Sequence, residues 1–419
     1  MGVTLDILEI GVRGDGIAHQ DSQRFFVPFT LPGETVEAEP REKRGEGVAA
    51  DLLEVLSPSR HRVPVSCRHF GTCGGCALQH WQSEPYLAWK GEQVRLALSR
   101  QGLETELRPT VGIPPATRRR LALHARRLGD GSVVLGFKAR KSWSLVPIET
   151  CVVSDPRLVE ALPRLRRIAS AVLDHPKSAP TLHVTLTETG LDVDITGVER
   201  RSGGLSGDRR MEAIRAAEAA DLARLSLAGE VLAMRRAPRV RFGGAEVTLP
   251  PGGFLQAVPE AEAAMVERVL AGVEGAKRIA DLFCGAGTFT FPLASVAPVL
   301  AADAAEGGIA ALKAGRAGLK GLSPIEAVAR DLFRRPLTPH DLKGIDTVVF
   351  DPPRAGAQAQ VEQIAASKAT TVVGVSCNPV TFARDARVLV DAGFKLEEVT
   401  PVDQFLWSAH VELVGTFRR

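Results

Sequence analysis

Arg278-Ile279-Ala280-Asp281-Leu282-Phe283-Cys284-Gly285-Ala286-Gly287-Thr288 is a short apolar run that stops at a glycine-rich turn. The run reads as a buried strand. The glycines let backbone approach a ligand and aim the N–H groups of a following helix at an anionic group. Asp303 ends the next strand-like run, 299–303, at the separation expected of an acid that binds ribose hydroxyls. A dinucleotide-binding turn has a third glycine, which is missing here. Outward from this turn, strand-like runs at 345–350 and 370–377 alternate with helical stretches at 261–270 and 382–392, the last stopped by Gly393. This rhythm predicts a doubly wound α/β domain over 251–419.

Two further loops follow strand ends. In Asp351-Pro352-Pro353-Arg354 the prolines hold Asp351 extended, with its carboxylate free to accept from a nucleobase N–H or a cofactor amine. Enzymes that methylate exocyclic amines carry similar loops, but they place an aromatic residue next and need no thiol. Here Arg354 follows, and Val375-Ser376-Cys377-Asn378-Pro379 puts a thiol at the end of a buried strand. A thiol beside such a turn points to methyl transfer onto carbon. C5 of uracil is a poor nucleophile until a thiolate adds at C6. A base must then remove the C5 proton, and Glu412 in the run 410–414 is the candidate. A free thiol has a pKa of about 8.5, so the site must favour thiolate. The bland alternatives are a buried small hydrophobe for Cys377 and an outward-facing carboxylate for Glu412.

The chain of 419 residues suggests about two to four domains. Its 45% hydrophobic and 24% charged residues are ordinary for a globular protein, and no run is long and apolar enough to span a bilayer. The N-terminal residues show no secretory pattern, so the expectation is a cytoplasmic protein, monomeric and without a membrane partner. Reduced thiols follow from that placement. Cys67-x5-Cys73-Gly74-Gly75-Cys76, with Cys151 downstream, then suggests tetrahedral zinc or an iron–sulfur cluster. The gaps of five and two do not match radical enzymes, and Cys151 lacks the paired partner of a zinc ribbon. Four unrelated buried cysteines are the plain alternative. Net charge is only +3, but Arg118, Arg119, Arg120, Arg126, Arg127, Lys138, Arg140 and Lys141 crowd one stretch. It reads either as a phosphate-binding face, with binding that weakens steeply in salt, or as solvated surface.

Residues 1–57 read as short strands between glycine turns, which suggests a small barrel. A loop with three cysteines fills 58–80. A helix is expected over 84–100, stopped by Gly102, and 117–250 carries antiparallel alternation.

The motifs Cys-x5-Cys-Gly-Gly-Cys-Ala-Leu-Gln-His (67–80), Phe-Leu-Gln (254–256), Asp-Leu-Phe-Cys-Gly-Ala-Gly (281–287), Asp-Pro-Pro-Arg-Ala-Gly (351–356), Ser-Cys-Asn-Pro (376–379) and His-Val-Glu (410–412) occur in this order along nearly the whole chain. In this the chain resembles the TRAM-containing, iron–sulfur branch of the RNA (uracil-5-)-methyltransferases that modifies 23S ribosomal RNA. The resemblance implies a multidomain α/β protein. Residues 1–57 would be the OB-like TRAM barrel, 58–250 a β-rich iron–sulfur domain with helix 84–100 packed on the catalytic unit, and 251–419 a Rossmann-like methyltransferase. It implies a [4Fe–4S] cluster on Cys67, Cys73, Cys76 and Cys151. It implies S-adenosylmethionine held by Gln256, Phe283, Gly285, Gly287, Thr288, Asp303, Asp331 and Asp351. Cys377 would be the nucleophile, Glu412 the base, and Phe254 with Arg118, Arg119 and Arg120 would meet the RNA; Cys284 would be structural. The family often has Asn at position 288, Glu at 303 and Phe-Pro-x-Thr where this chain has Phe405-Leu406-Trp407-Ser408. Rival readings are transfer-RNA uracil-C5 methylation, cytosine-C5 methylation, and an inactive RNA-binding protein that keeps the cluster.

Overall fold

The computed structural model describes residues 2–173, 175, 178–198 and 205–419. At the N-terminus β1 (Val3–Asp6), β2 (Glu9–Ile10), β3 (Asp15–Gln20), β4 (Gln23–Pro28), β5 (Thr35–Arg44) and β6 (Gly47–Ser57) form one sheet in the order β1-β5-β6-β4-β3-β2. Alternating residues such as Leu5, Val27, Val36 and Ala38 close a separate small core. β3 and most of β5 were not legible as strands. Their charged and small residues have poor strand propensity, and partner strands hold them in place.

The cysteine loop follows, then α1 (Ser83–Ser99) and β7 (Glu106–Leu107). The middle of the chain forms a seven-stranded sheet, ordered β10-β9-β8-β11-β12-β13-β14. Its strands are β8 (Arg120–Arg127), β9 (Val133–Lys138), β10 (Leu145–Pro147), β11 (Thr181–Thr187), β12 (Gly190–Thr196), β13 (Arg224–Leu227) and β14 (Glu230–Met234). Among its helices, α2 (Pro156–Glu160) leads into α3 (Leu162–Val172) and α4 (Gly207–Ala219), whose apolar faces join the core of this sheet. The hairpin of β15 (Arg239–Phe242) and β16 (Ala245–Thr248) packs instead against the C-terminal unit, where Phe242 and Val247 share a core with Phe291.

The C-terminal unit contains α5 (Pro259–Gly272), β17 (Ile279–Leu282), α6 (Thr290–Ala294), β18 (Val299–Asp303), α7 (Glu306–Arg316), β19 (Ile325–Ala329), β20 (Thr347–Phe350), α8 (Gln358–Ala365), β21 (Thr371–Ser376), α9 (Pro379–Asp391), β22 (Lys395–Val402) and β23 (Glu412–Arg418). The sheet order is β19-β18-β17-β20-β21-β23-β22-β7. Strands β17 to β21 pair in parallel, β23 runs antiparallel between β21 and β22, and β7 adds a parallel edge from far upstream. Strands β17, β20 and β21 are buried on both faces and are built mainly of Val, Ile, Leu, Ala and Phe. Each large side chain buried here, such as Phe350 or Phe417, contributes about 1.5–3 kcal/mol. The order reverses between β17 and β20, which opens a crevice at their carboxyl ends. Among the described residues no helix is long and apolar enough to cross a membrane.

Candidate active site

A cleft of about 690 Å³ occupies that crevice, with the central sheet as its far wall through His183 and Thr185. One end of it is the turn after β17. Phe283 adopts φ 62°, Gly285 55° and Gly287 106°, the left-handed backbone that makes so tight a turn. The Gly285 N–H donates to Asp303 Oδ2 at 2.9 Å, and the Ala305 N–H donates to Oδ1 at 2.7 Å. Asp303 is thereby fixed with both oxygens at the mouth of the turn. Gln256, Phe283, Gly285, Thr288, Asp303 and Asp351 all line the cleft. Gly287 and Asp331 do not. Gly287 is behind the turn against the Phe291 ring. Asp331 accepts the N–H groups of Phe333 and Arg334 and so shapes the loop that presents Phe333, which packs 5.5 Å from the Phe283 ring.

Cys377 follows β21 directly. Asn378 caps α9 by accepting the Val380 N–H at 3.1 Å, and Pro379 starts the helix. The thiol is therefore fixed at a strand–helix junction, half-buried in the cleft wall. Glu412 opens β23, the strand paired with β21, and is buried on the same cleft. Burial pushes Glu412 up to about 8, with the nearby Asp351 adding to the rise. Burial and Asp303 push Asp351 to about 7. Asp281 beneath the turn, bonded to Thr290 Oγ1 at 2.5 Å, is likewise raised to about 7. The thiol is pushed up to about 11 by burial and by Glu412 and Asp351, with Arg354 the cation opposing them. A site that favours thiolate was expected, and the protein alone does the reverse. So many acids share one low-dielectric cleft that each ionisation opposes the next. A cation entering the cleft would relieve all of them, so the donor set fits a positively charged sulfonium.

The segment between β22 and β23 supplies what the sequence reading missed. Gln404, 2% exposed, donates from Nε2 to Gln256 Oε1 at 2.9 Å and to Glu412 Oε1 at 3.1 Å. Lys90 on α1 is wholly buried; its Nζ pairs with Asp403 at 2.7 Å and also bonds the His410 carbonyl. The Trp407 N–H donates to Tyr86 Oη at 2.7 Å. None of these has a sequence signal, because Gln256, α1 and this segment meet only in the fold.

The arginines divide. Arg118 and Arg120 line the cleft, Arg120 at 5.4 Å from the ring of Phe254, which is 64% exposed. Arg119 faces inward to Glu262 at 2.7 Å and to the Gln256 carbonyl at 3.0 Å. Arg127 bonds the carbonyls of Ser170 and Leu173, and Arg140 pairs with Asp15 of β3. The basic stretch is thus a smaller free cationic face than its sequence suggests.

Cys67, Cys73, Cys76 and Cys151 line a second cavity of about 370 Å³, beside the first. Arg118 and Phe405 border both. Cys73 Sγ accepts the Gly75 N–H at 3.4 Å, and Ser154 Oγ donates to Cys151 Sγ at 3.1 Å. Gln79 borders the same cavity, with its amide beside Cys76. Among the described residues no group of three or more His, Cys, Asp or Glu is placed to hold a metal ion.

Residues 248–418 match the family model described as tRNA (uracil-5-)-methyltransferase. An RNA methyltransferase of Caulobacter vibrioides is 62% identical, with 99% of each chain covered. A 23S rRNA (uracil(1939)-C(5))-methyltransferase of Alkalilimnicola ehrlichii is 33% identical over 97% of this chain and 94% of its own. The crystal structure of Pyrococcus abyssi tRNA (uracil-54, C5)-methyltransferase, in complex with S-adenosyl-L-homocysteine, shares the fold over 99% of both chains, with a TM-score of 0.74 at 24% identity. With a relative of known type aligned over almost its entire length and a cleft bearing thiol, carboxylates and glycine turn, this chain belongs to the RNA (uracil-5-)-methyltransferase family.

Proposed function

We propose that this protein methylates C5 of a uridine in 23S ribosomal RNA, with Cys377 as nucleophile and Glu412 as base. The observation that carries the reading is the convergence of Cys377, Glu412 and Asp351 on the cleft that also holds the glycine turn. The target uridine leaves its stack and enters the cleft beside Phe254. The Cys377 thiol releases its proton to solvent and the thiolate sulfur bonds C6, moving the C5–C6 electron pair towards C5 and O4. S-adenosylmethionine, when bound, supplies the electrophilic methyl that the activated C5 takes. Glu412 then accepts the C5 proton, the C5–C6 double bond re-forms, and the thiolate is expelled. Asp351 orients the base and the cofactor amine by accepting their N–H groups. Gln256, Phe283, Gly285, Thr288 and Asp303 bind the cofactor, with Gly287 and Asp331 shaping its loops.

In the same reading residues 1–57 form an OB-like TRAM barrel for RNA, 58–250 a cluster-bearing domain, and 251–419 the catalytic domain. The four cysteines hold a [4Fe–4S] cluster. Their convergence on one cavity of about 370 Å³ supports that reading. The protein acts as a cytoplasmic monomer.

Tritium release tests the chemistry. Unmodified ribosomal and transfer RNA carry tritium at C5 of uridine or, separately, of cytidine. Release from ribosomal uridine, abolished in Cys377→Ala, is the expected result. Release only from transfer RNA reassigns the substrate, release only from cytidine reassigns the base, and release from neither overturns the reading.

A further inference from the structure

A chain of side-chain amides joins the methyl-donor side of the cleft to the base. Gln256 Nε2 is 3.3 Å from Asp351 Oδ2, and Gln256 Oε1 accepts from Gln404 Nε2 at 2.9 Å. The same Gln404 nitrogen reaches Glu412 Oε1 at 3.1 Å. The Val258 N–H, at 3.4 Å from Gln404 Oε1, fixes which way the amide faces. With Gln404 Oε1 taken by that N–H, its Nε2 donates to both Gln256 Oε1 and Glu412 Oε1, and Gln256 is left with its Nε2 facing Asp351. Among the described residues Oε2 of Glu412 has no hydrogen-bond partner, so one oxygen is held and the other stays available on the cleft. Gln404 itself is clamped, because Asp403 beside it pairs with Lys90 and the Asp403 N–H donates to the Val111 carbonyl at 2.9 Å.

From this geometry we infer that Gln404 is a positioning residue for the proton-removal step. It anchors one oxygen of Glu412 so that the other meets C5–H, and it ties the base to Gln256 on the cofactor side. The inference rests on Glu412 being the base. Gln404 acts on the second half of the reaction. Loss of the C5 proton and release of Cys377 depend on it through Glu412, while its bond to Gln256 is read separately as affinity for S-adenosylmethionine. The amide hydrogen bond also opposes the upward push on Glu412, so its loss moves the acid limb of the pH profile to higher pH.

The test uses the full-length protein with Gln404→Leu and, because a branched side chain can disturb packing, Gln404→Met, which fills the space flexibly. Glu412→Gln runs in parallel. Reactions with labelled S-adenosylmethionine and RNA are followed by tritium release and by denaturing gels that detect protein bound covalently to methylated RNA. The expected result is release slowed by about tenfold or more, with a methylated Cys377–RNA adduct accumulating and the acid limb displaced upward. Wild-type release in both Gln404 variants overturns the inference. So does a proportional loss of methylation and release with no adduct, which a merely structural role would give. If Glu412→Gln traps the adduct and the Gln404 variants do not, only Gln404 loses its role. If Glu412→Gln traps none, the base assignment fails and the inference fails with it.

Discussion

Lys90 Nζ and Asp403 Oδ1 lie 2.7 Å apart across 313 residues of sequence, and neither side chain reaches solvent. The pair pins α1 to the segment that carries Gln404 and leads to Glu412. Removing one partner leaves a buried charge uncompensated, which costs about 3–5 kcal/mol. Lys90→Met should lower stability by this amount in chemical denaturation. The double variant Lys90→Met, Asp403→Asn should recover a large part of it, because no charge is then left buried.

Two glycines of the turn after β17 predict unequal effects. A Cβ at Gly285 meets nothing within 4 Å, so Gly285→Ala costs only the left-handed backbone penalty of about 1–2 kcal/mol. A Cβ at Gly287 would lie 2.6 Å from the Phe291 ring, adding overpacking of about 1–3 kcal/mol to the same backbone penalty. Thermal melting should rank Gly287→Ala well below Gly285→Ala. Calorimetry with S-adenosylhomocysteine should show weaker binding in Gly287→Ala.

The proposed reaction needs Glu412 ionised, and it is raised to about 8. Activity should therefore climb as pH rises towards that value. The profile of kcat/KM, which reports the free enzyme, should keep its acid limb near there; the profile of kcat, with a cation in the cleft, should break at lower pH. Asp351 is the second cause of the rise. Asp351→Asn, though slow, should shift the normalised limb to lower pH. An unmoved limb would mean that Asp351 does not act on Glu412.

Trp143 is 79% exposed at the turn between β9 and β10, with Lys138 Nζ 3.9 Å from its ring centroid and Lys141 nearby in sequence. An exposed ring among cations can stack on an unpaired base. Stacking is worth about 1–3 kcal/mol per base. Trp143→Ala should weaken RNA binding by roughly ten- to a hundredfold, as measured by fluorescence anisotropy, and leave S-adenosylhomocysteine affinity unchanged.

Protein purified without oxygen should carry iron and acid-labile sulfide in equal amounts, and Cys73→Ser should lose both. Chelation of the iron should lower the melting temperature, because a ligand that binds only the folded state stabilises it. Zinc without sulfide in elemental analysis would replace the cluster with an ion.

The sequence by itself determined the doubly wound sheet, the glycine turn and the loops that end in Asp351 and Cys377. Each is written locally: apolar β-branched runs, glycines where φ turns positive, prolines that stop a strand. Gly102 and Gly393, at φ 64° and 93°, sit just past α1 and α9 as their spacing required. What surrounds the chemistry was decided only in three dimensions. β3 and β5 exist because partners pair with them, and β7 joins the catalytic sheet from outside it. Arg119 turns away to Glu262, Lys90 is buried on Asp403, and Gln404 meets Glu412. Burial and charge pairing depend on which distant segments meet, and that is why the Cys377 thiol and the Glu412 carboxyl are held above their ordinary values in the free protein.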